Sequence, residues 1–152
     1  MTPNPSTIDR TMTLERLIHA SPEHVWRAWT DPAILPQWFG PAGYFCQTKE
    51  IDLRTGGHWV FDMTGPDGTI WHNRHHAFTY IPHHTITFLM DDGTDANPAM
   101  EVTVTLTPQN GGTFLTQKVV MPTAEAYANA KAFGAVELGQ TTLAKLAAMV
   151  EN

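Results

Sequence analysis

The sequence predicts an α+β domain in which a curved antiparallel sheet of six or seven strands packs around a long C-terminal helix. Between residues 44 and 121, most segments alternate polar and apolar residues with the period of two that is typical of strands. Short turn sequences separate these segments, which indicates that consecutive strands pair antiparallel. Residues 123–152 are rich in alanine and carry apolar residues at helical spacing.

The chain begins with a strand and two short helices. Residues 11–20 alternate with a strand period. Ser21 then provides a suitable N-cap and Pro22 suits the first helical position, so we expect a helix to start there. A second short helix follows over residues 32–39, and the Gly-Pro pair after it ends this helix.

Six further strands precede the last helix, separated by turn sequences rich in glycine, proline, asparagine and aspartate. Their predicted ranges are 44–53, 56–63, 69–81, 85–90, 100–108 and 113–121. The last helix begins near Thr123 and is expected to be continuous, with an irregularity near Gly134. This helix is the only element long enough to cover the apolar face of the sheet. A curved sheet wrapped around one helix often leaves space between them, so we expect a cavity there.

Composition excludes several classes of function. The 152 residues carry a formal net charge of −6 with only nine lysines and arginines, so neither nucleic acid nor an anionic membrane is an expected partner. No segment approaches the roughly 20 apolar residues of a membrane helix. The single cysteine, Cys46, is expected to be a buried side chain. We expect a cytoplasmic protein with a flexible N-terminus at residues 1–10 and one domain at residues 11–152.

Five of the eight histidines lie between residues 69 and 88. Their spacing argues against a shared metal ion, because His72 and His76 are roughly 13 Å apart along one strand and zinc ligands lie about 2 Å from the metal. If the preceding hairpin turns tightly, His58 lies opposite His75, and these two histidines with an unidentified third ligand are the one remaining metal alternative. Two histidines on a solvated face of the sheet are the favoured interpretation. The sequence therefore predicts no metal site, and it contains no motif for a cofactor.

Several motifs resemble one known superfamily. Residues 20–41, ASPEHVWRAWTDPAILPQWFGP, resemble the opening of the START-like, or SRPBCC, superfamily, and most closely its branch related to the activator of Hsp90 ATPase. The segment DLRTGGHWVFDMTGPDG resembles the D-x-R-x-G-G strand and the P-D-G turn of that branch. Residues 121–150 are similar to its final helix. Together these motifs cover most of the chain.

The resemblance implies the helix-grip fold, also described as START-like or Bet v 1-like, and a cavity for a hydrophobic ligand. It does not determine a function, because the superfamily includes lipid carriers, polyketide cyclases, antibiotic-sequestering proteins and co-chaperone domains. The chain departs from many members of the branch at two positions. His75 stands where they have a glycine, and Thr79 stands near the position of a glutamate. An activity that depends on those residues is therefore not expected here.

The register of one predicted hairpin decides which side chains face the cavity. With a tight turn, the inward residues Trp59 and Phe61 stand opposite even-numbered residues of the next strand. These even-numbered residues are His72, Arg74, His76 and Phe78. In the alternative, a bulge shifts the phase of the strand, and Trp71 and His75 face inward instead.

The predicted binding set combines polar and apolar side chains. We expect Arg74 to pair with a carboxylate or phenolate of the ligand, and His76 to share a hydrogen bond with it. Arg16 and Gln117 share strand parity with apolar neighbours, and Trp38 belongs to the second short helix, above the cavity. Each of these three residues has a purely structural alternative. The guanidinium of Arg16 can reach solvent, the amide of Gln117 can bond to the backbone, and Trp38 can belong to the core.

We expect non-catalytic binding of a small hydrophobic or aromatic molecule. The chain has no nucleophile elbow, and its two serines lie in the N-terminal segment and at a helix cap, which argues against serine catalysis. One alternative is an acid–base enzyme of the polyketide cyclase type, with His76 or His72 as base and Arg74 stabilising negative charge. Another is a stress-response co-chaperone that activates Hsp90. Exposed strand edges and Trp71 also indicate a homodimer.

Overall fold

The structure, a computed structural model, describes residues 5–94 and 96–151. The described residues form seven strands: β1 Thr11–Ile18, β2 Phe45–Asp52, β3 His58–Thr64, β4 Ile70–Ile81, β5 Thr85–Asp91, β6 Met100–Gln109 and β7 Gly112–Val120. They also form four α-helices: α1 Pro22–Thr30, α2 Leu35–Trp38, α3 Ala124–Phe133 and α4 Ala135–Val150. The predicted α+β class, the strand number and the two short helices after the first strand are confirmed.

The strands form one antiparallel sheet in the order β1-β7-β6-β5-β4-β3-β2. Strands β2 to β7 follow one another as a meander, whereas β1 pairs with β7 at the far edge. Helices α1 and α2 belong to the connection that carries the chain from one edge of the sheet to the other. Both contact α4, so all three helices cover the same face of the sheet. This arrangement is the predicted helix-grip fold.

Local sequence signals fix the starts of two helices. Ser21 Oγ accepts a hydrogen bond from the backbone N–H of His24 at 3.3 Å at the start of α1. Thr123 Oγ1 accepts one from the backbone N–H of Ala126 at 2.9 Å at the start of α3. In both cases a side-chain oxygen satisfies a donor that a helix N-terminus leaves unpaired. The predicted start of each helix is therefore confirmed.

The C-terminal segment is two helices rather than the single one predicted. Gly134 adopts a left-handed conformation, φ 96°, and its N–H bonds to the carbonyls of Ala130 and Lys131, which ends α3. Glycine reaches this conformation without a steric penalty, so the chain stops one helix and starts the next at the same residue. Helix α4 buries Leu143 and Leu146 in the core, whereas no residue of α3 is fully buried.

The inner face of the sheet and α4 lie in direct contact near β1. A Cβ atom on Gly139 of α4 would overlap Cδ1 of Leu14 on β1, so any larger residue at this position requires the Leu14 side chain to move. Leu14 itself is 2% exposed. The core therefore begins at the β1 edge and continues under α4 toward the middle of the sheet.

The connection between β3 and β4 determines which side chains of β4 face the core. It comprises residues 65–69, so that Thr64 pairs with Ile70 and Trp59 pairs with His75. The predicted turn is one residue shorter than this connection, and it would have paired Trp59 with an even-numbered residue of β4. Side chains directly opposite one another lie on the same face, so a shift of one residue reverses the face of the whole strand.

The prediction that the even-numbered residues of β4 face inward is therefore wrong for the first half of the strand. Its polar members lie on the outer face: His72, Arg74 and His76. His75 faces inward and is 1% exposed, as the bulge alternative predicts. The bulge lies at Ala77, whose φ is 55°, and beyond it the even-numbered Phe78 faces the core.

The expected flexible N-terminus falls partly on residues 1–4, which lie outside the described residues. Residues Pro5–Arg10 form a 3-10 helix that contacts α3. Its last residue, Arg10, donates a hydrogen bond from Nη1 to the carbonyl of Met121 at 2.7 Å. Within the described part of the chain, none of the helices has both the length and the hydropathy of a membrane span.

Candidate ligand-binding cavity

A cavity of about 270 Å³ lies between the inner face of the sheet and the junction of α3 with α4. Five methionines line it, four from different strands and one from the residue after β7: Met12, Met63, Met90, Met100 and Met121. Leucine, alanine, proline and phenylalanine side chains complete most of the wall. Methionine is unbranched and flexible, and its polarisable sulfur makes favourable contacts with aromatic rings, so this wall can adapt to a guest.

The polar groups on the cavity wall are few and uncharged. They are Asn73 on β4, Gln117 on β7 and Thr142 on α4. Among the described residues that line the cavity, none carries an ionisable side chain. A few neutral polar groups on an apolar wall are typical of sites that orient a small molecule by hydrogen bonds.

The cavity opens beside three aromatic side chains that we call the aromatic rim: Tyr44, Trp71 and Phe133. A hollow of about 190 Å³ contains all three and shares Met63 and Leu138 with the cavity wall. Phe133 is 63% exposed and Trp71 is 48% exposed, with their ring centroids 6.3 Å apart. Because Phe133 lines the cavity and also faces solvent, the opening lies at the end of α3.

The other half of the interior is filled by what we call the aromatic cluster. Its members are Trp29, Trp38, Phe39, Trp59, Phe61, His75, Phe78 and Phe88. Trp59 stacks on Phe61 with centroids 3.8 Å apart, and its Nε1 donates to Thr48 Oγ1 at 3.0 Å. Trp38 Nε1 donates to the carbonyl of Ala28 at 2.9 Å. Both indole N–H groups are thus satisfied inside the core.

His75 lies at the centre of the aromatic cluster. Its ring stacks on Phe88 at 4.7 Å and meets Phe39, Trp59 and Phe61 edge-on. Burial lowers the pKa of His75 to about 3, so the imidazole is neutral near pH 7. Its Nε2 has no hydrogen-bond partner among the described residues. The sequence offered an inward-facing His75 only as the bulge alternative, and it gave no signal that aromatic rings would surround the imidazole.

Three of the polar residues predicted for the cavity, His72, Arg74 and His76, instead contact carboxylates on the outer face. Arg74 donates from Nε and Nη2 to the carboxylate of Asp91 at 2.9 and 2.8 Å, and His76 Nε2 lies 2.9 Å from the same carboxylate. Burial alone would raise the pKa of Asp91, but hydrogen bonds from Arg74, Gly93 and His76 outweigh it and lower that pKa to about 2. His72 Nδ1 lies 2.7 Å from Asp62 Oδ1.

The remaining predicted residues divide between the two halves of the interior. Gln117 lies on the cavity wall. The apolar residues Trp38, Trp59, Phe61 and Phe78 face inward but belong to the aromatic cluster. Arg16 is half-buried on the same side of β1 as Leu14, but it does not line the cavity. Its Nε is buried and has no hydrogen-bond partner in the described part of the chain.

Sequence reasoning missed the five methionines and Asn73. The methionines carried one usable signal, because Met12 shares strand parity with Arg16, Met63 with Trp59 and Phe61, and Met121 with Gln117. Asn73 carried none, because its orientation follows from the register of β3 with β4. That register depends on the length of a turn, which the residue pattern leaves open by one position.

The histidines do not form a metal site. His58 pairs with His76 across β3 and β4 rather than with His75, and both lie on the outer face. Each is held by its own carboxylate, His58 Nε2 by Glu50 at 3.1 Å and His76 by Asp91. Within residues 5–94 and 96–151, no group of three potential ligands is placed to hold a metal ion.

The loop between α2 and β2 is fixed beside the cavity by buried polar contacts. Lys145 Nζ donates to the carbonyls of Gly40 and Pro41 at 3.0 and 3.4 Å, and burial lowers its pKa. Cys46 Sγ donates to the carbonyl of Phe39 at 3.4 Å, and burial raises the pKa of this thiol to about 12. The thiol is therefore protonated and unreactive near neutral pH.

Comparison with known proteins gives one family and many structures of the same fold. Residues 19–151 match the family described as Activator of Hsp90 ATPase homolog 1-like protein. The chain is similar to protein Ms6760 from Mycobacterium smegmatis, with a TM-score of 0.81 and 26% identity over 95% of this chain and 92% of that one. It is also similar to protein CV1439 from Chromobacterium violaceum, with a TM-score of 0.76 and 30% identity over 93% and 98%.

A third structure resembles the chain in fold alone. It is the AHSA1-like protein from Aeromonas hydrophila, with a TM-score of 0.71 and 24% identity over 93% of this chain and 95% of that one. Among curated proteins, none matches the chain. The comparisons thus establish the family and the fold of the chain.

Proposed function

The chain belongs to the activator of Hsp90 ATPase homolog 1-like family, and on that premise we propose that it binds a small hydrophobic or aromatic molecule without transforming it. The observation that supports this function is the methionine-lined cavity. Its volume of about 270 Å³ is well above the roughly 150 Å³ that holds benzene in an engineered apolar cavity. The aromatic rim gives such a molecule a path of entry from solvent.

The acid–base alternative has less support. It requires a histidine base and an arginine beside the substrate, but Arg74 and His76 are paired with Asp91 on the outer face. His75, which does face inward, is enclosed by aromatic rings and its pKa of about 3 makes it a weak base. Binding therefore accounts for the interior better than catalysis does.

A second candidate function is activation of an Hsp90 ATPase. The family description names this activity, and the aromatic rim supplies exposed apolar surface for a protein partner. If this function holds, the wild-type chain raises the ATPase rate of purified bacterial Hsp90, and Phe133→Ala raises it less. An unchanged ATPase rate with the wild-type chain would contradict it. The homodimer and the cytoplasmic location stay predictions.

Filling the cavity tests the binding function. Ala135 lies on the cavity wall at the start of α4, so the ring of Ala135→Phe is expected to occupy the space of the ligand. Naphthalene binding, measured by ligand-observed NMR, should weaken by about tenfold or more. Ala128→Phe, at an exposed position of α3, is the matched control and should bind as the wild type does. No binding of naphthalene to the wild type would contradict the proposed function.

A further inference from the structure

We propose that the ligand is an uncharged molecule of one or two rings, and that a hydroxyl or carbonyl group of this molecule pairs with the side-chain amide of Gln117. This inference rests on the proposed binding function and names the chemical class of the guest. It follows from three features of the cavity wall: one amide without a partner, the absence of ionisable groups among the described lining residues, and the cavity volume.

Gln117 lies within β7, next to the edge strand β1, on the apolar inner face of the sheet where an amide is unusual. Strand β7 lies between β1 and β6, and Gln117 pairs with Leu14 of β1 and with Val104 of β6. Its neighbours of the same parity, Leu115 and Val119, are 0% and 2% exposed. The amide therefore stands on an apolar face and reaches the cavity rather than bulk solvent.

The hydrogen-bonding capacity of this amide is unused by the protein. Among the hydrogen bonds of the described residues, none involves the Gln117 side chain, which has two N–H donors and one acceptor oxygen. The other polar groups of the wall have protein partners, because Asn73 Nδ2 donates to the carbonyl of Trp71 at 3.0 Å and Thr142 Oγ1 to that of Leu138 at 3.4 Å. A guest without polar groups would displace water from Gln117 and leave its amide unpaired.

The electrostatics of the wall select against a charged guest. A carboxylate or an ammonium group in this cavity would lose its hydration and find no opposite charge on the described lining residues. The cations that the sequence placed near a ligand are elsewhere, since Arg74 pairs with Asp91 and Arg16 does not line the cavity. The cavity therefore accepts hydrogen-bonding groups but not ions.

Size and wall chemistry limit the body of the guest. A volume of about 270 Å³ is less than twice the roughly 150 Å³ that holds benzene, which allows one or two fused rings and excludes a long acyl chain inside the cavity. Thioether sulfur makes favourable contacts with aromatic rings, and five methionines surround this space. An aromatic ring is thus the guest body that the wall stabilises best.

Three compounds of nearly equal shape test this inference: naphthalene, 2-naphthol and 2-naphthoate. At pH 7 the first has no polar group, the second has a neutral hydroxyl and the third carries a negative charge. We expect 2-naphthol to bind about tenfold more tightly than naphthalene, and 2-naphthoate at least about tenfold more weakly than 2-naphthol, by NMR titration. Gln117→Leu should abolish the preference for 2-naphthol, whereas Gln109→Leu, at an exposed position of β6, should retain it.

Three results would overturn the inference while leaving the binding function intact. They are naphthalene binding as tightly as 2-naphthol, 2-naphthoate binding as tightly as 2-naphthol, and a preference for 2-naphthol that survives Gln117→Leu. The comparison within the wild type stands even if Gln117→Leu is unstable, because it requires no variant. If none of the three compounds binds the wild type, the proposed binding function fails and the inference fails with it.

Discussion

The two halves of the interior rest on the same sheet but are built from different side chains. One half is the aromatic cluster, in which Trp59 is 0% exposed and stacks on Phe61 at 3.8 Å. The other half is the cavity of about 270 Å³, lined by flexible methionines. Aromatic rings have few rotamers and fill space densely, whereas methionines adjust to irregular gaps. The difference indicates that the fold keeps one half rigid and leaves the other adaptable.

The position of the cavity follows from this division. The α4 helix buries Leu143 and Leu146 in the core, whereas α3 ends at Gly134 and none of its residues is fully buried. Above the methionines, the sheet is therefore covered by the junction of two helices rather than by a continuous one. The adaptable half lies where the helical cover is interrupted, and the aromatic rim lies at that interruption.

The largest expected effect comes from removing a ring of the aromatic cluster. Trp59→Ala should lower the free energy of unfolding by about 3–5 kcal/mol, because it leaves an enclosed void. Met90→Ala, on the same face of the sheet, should lower it by less than about 2 kcal/mol, because Met90 already borders empty space. Urea unfolding of both variants measures the difference. Equal losses would show that the two halves are packed alike.

A smaller loss is expected on the outer face. Arg74→Ala removes two hydrogen bonds from Asp91, whose side chain is 4% exposed, and should lower the free energy of unfolding by about 2 kcal/mol. Ligand affinity should stay unchanged, because Arg74 does not reach the cavity. The control is Arg54→Ala, which removes an exposed pair with Asp52 and should change stability by less than about 1 kcal/mol.

The contrary outcome for Arg74→Ala is also informative. A variant of unaltered stability that no longer binds ligand would place Arg74 at the binding site. That result would restore the register in which the even-numbered residues of β4 face the cavity. Measuring unfolding and binding on the same protein sample separates the two possibilities.

The third effect appears only in acid. Because the pKa of His75 falls from about 6.5 in the unfolded chain to about 3 in the fold, the unfolded state binds one more proton between these values. Stability should therefore fall as the pH drops below about 6.5, by up to about 1.4 kcal/mol per pH unit from this residue. His75→Phe should flatten that slope, whereas His19→Gln, at an exposed position, should not.

Asp91 adds to the loss of stability at lower pH and provides an internal reference. Its pKa is lowered to about 2, so the stability it contributes is lost as the pH falls below about 4. His75→Phe leaves this part of the curve in place. The difference between the denaturation midpoints of the wild type and of His75→Phe from pH 4 to pH 7 measures the effect of His75. Parallel curves for the two proteins would contradict a buried neutral imidazole.

The sequence was sufficient for those features that local patterns determine. Ser21 and Thr123 predicted the helix starts because an N-cap requires a side-chain acceptor at that position. The strand periods predicted the sheet and its meander order. These features depend on contacts between residues that are close in the chain, and each residue type has a direct physical role in them.

The face of β4 could not be derived in the same way. The face depends first on the length of the turn between β3 and β4, where one additional residue reverses the strand. It depends also on the bulge at Ala77, because alanine has no preference for its φ of 55°. Both are settled by packing, since this register buries His75 and Phe78 and exposes Arg74 to its partner Asp91. The polar residues were therefore assigned to the wrong face, while Gln117, on a regular strand, was correctly placed inward.

The most direct test of the methionine-lined cavity is a methyl NMR titration. With methionine methyl groups labelled with carbon-13, saturating 2-naphthol should shift the signals of the five methionines that line the cavity, and leave that of Met149 unchanged, because it lies on α4 away from the cavity wall. Shifts confined to Met149, or equal shifts at all methyl groups, would contradict the proposed site.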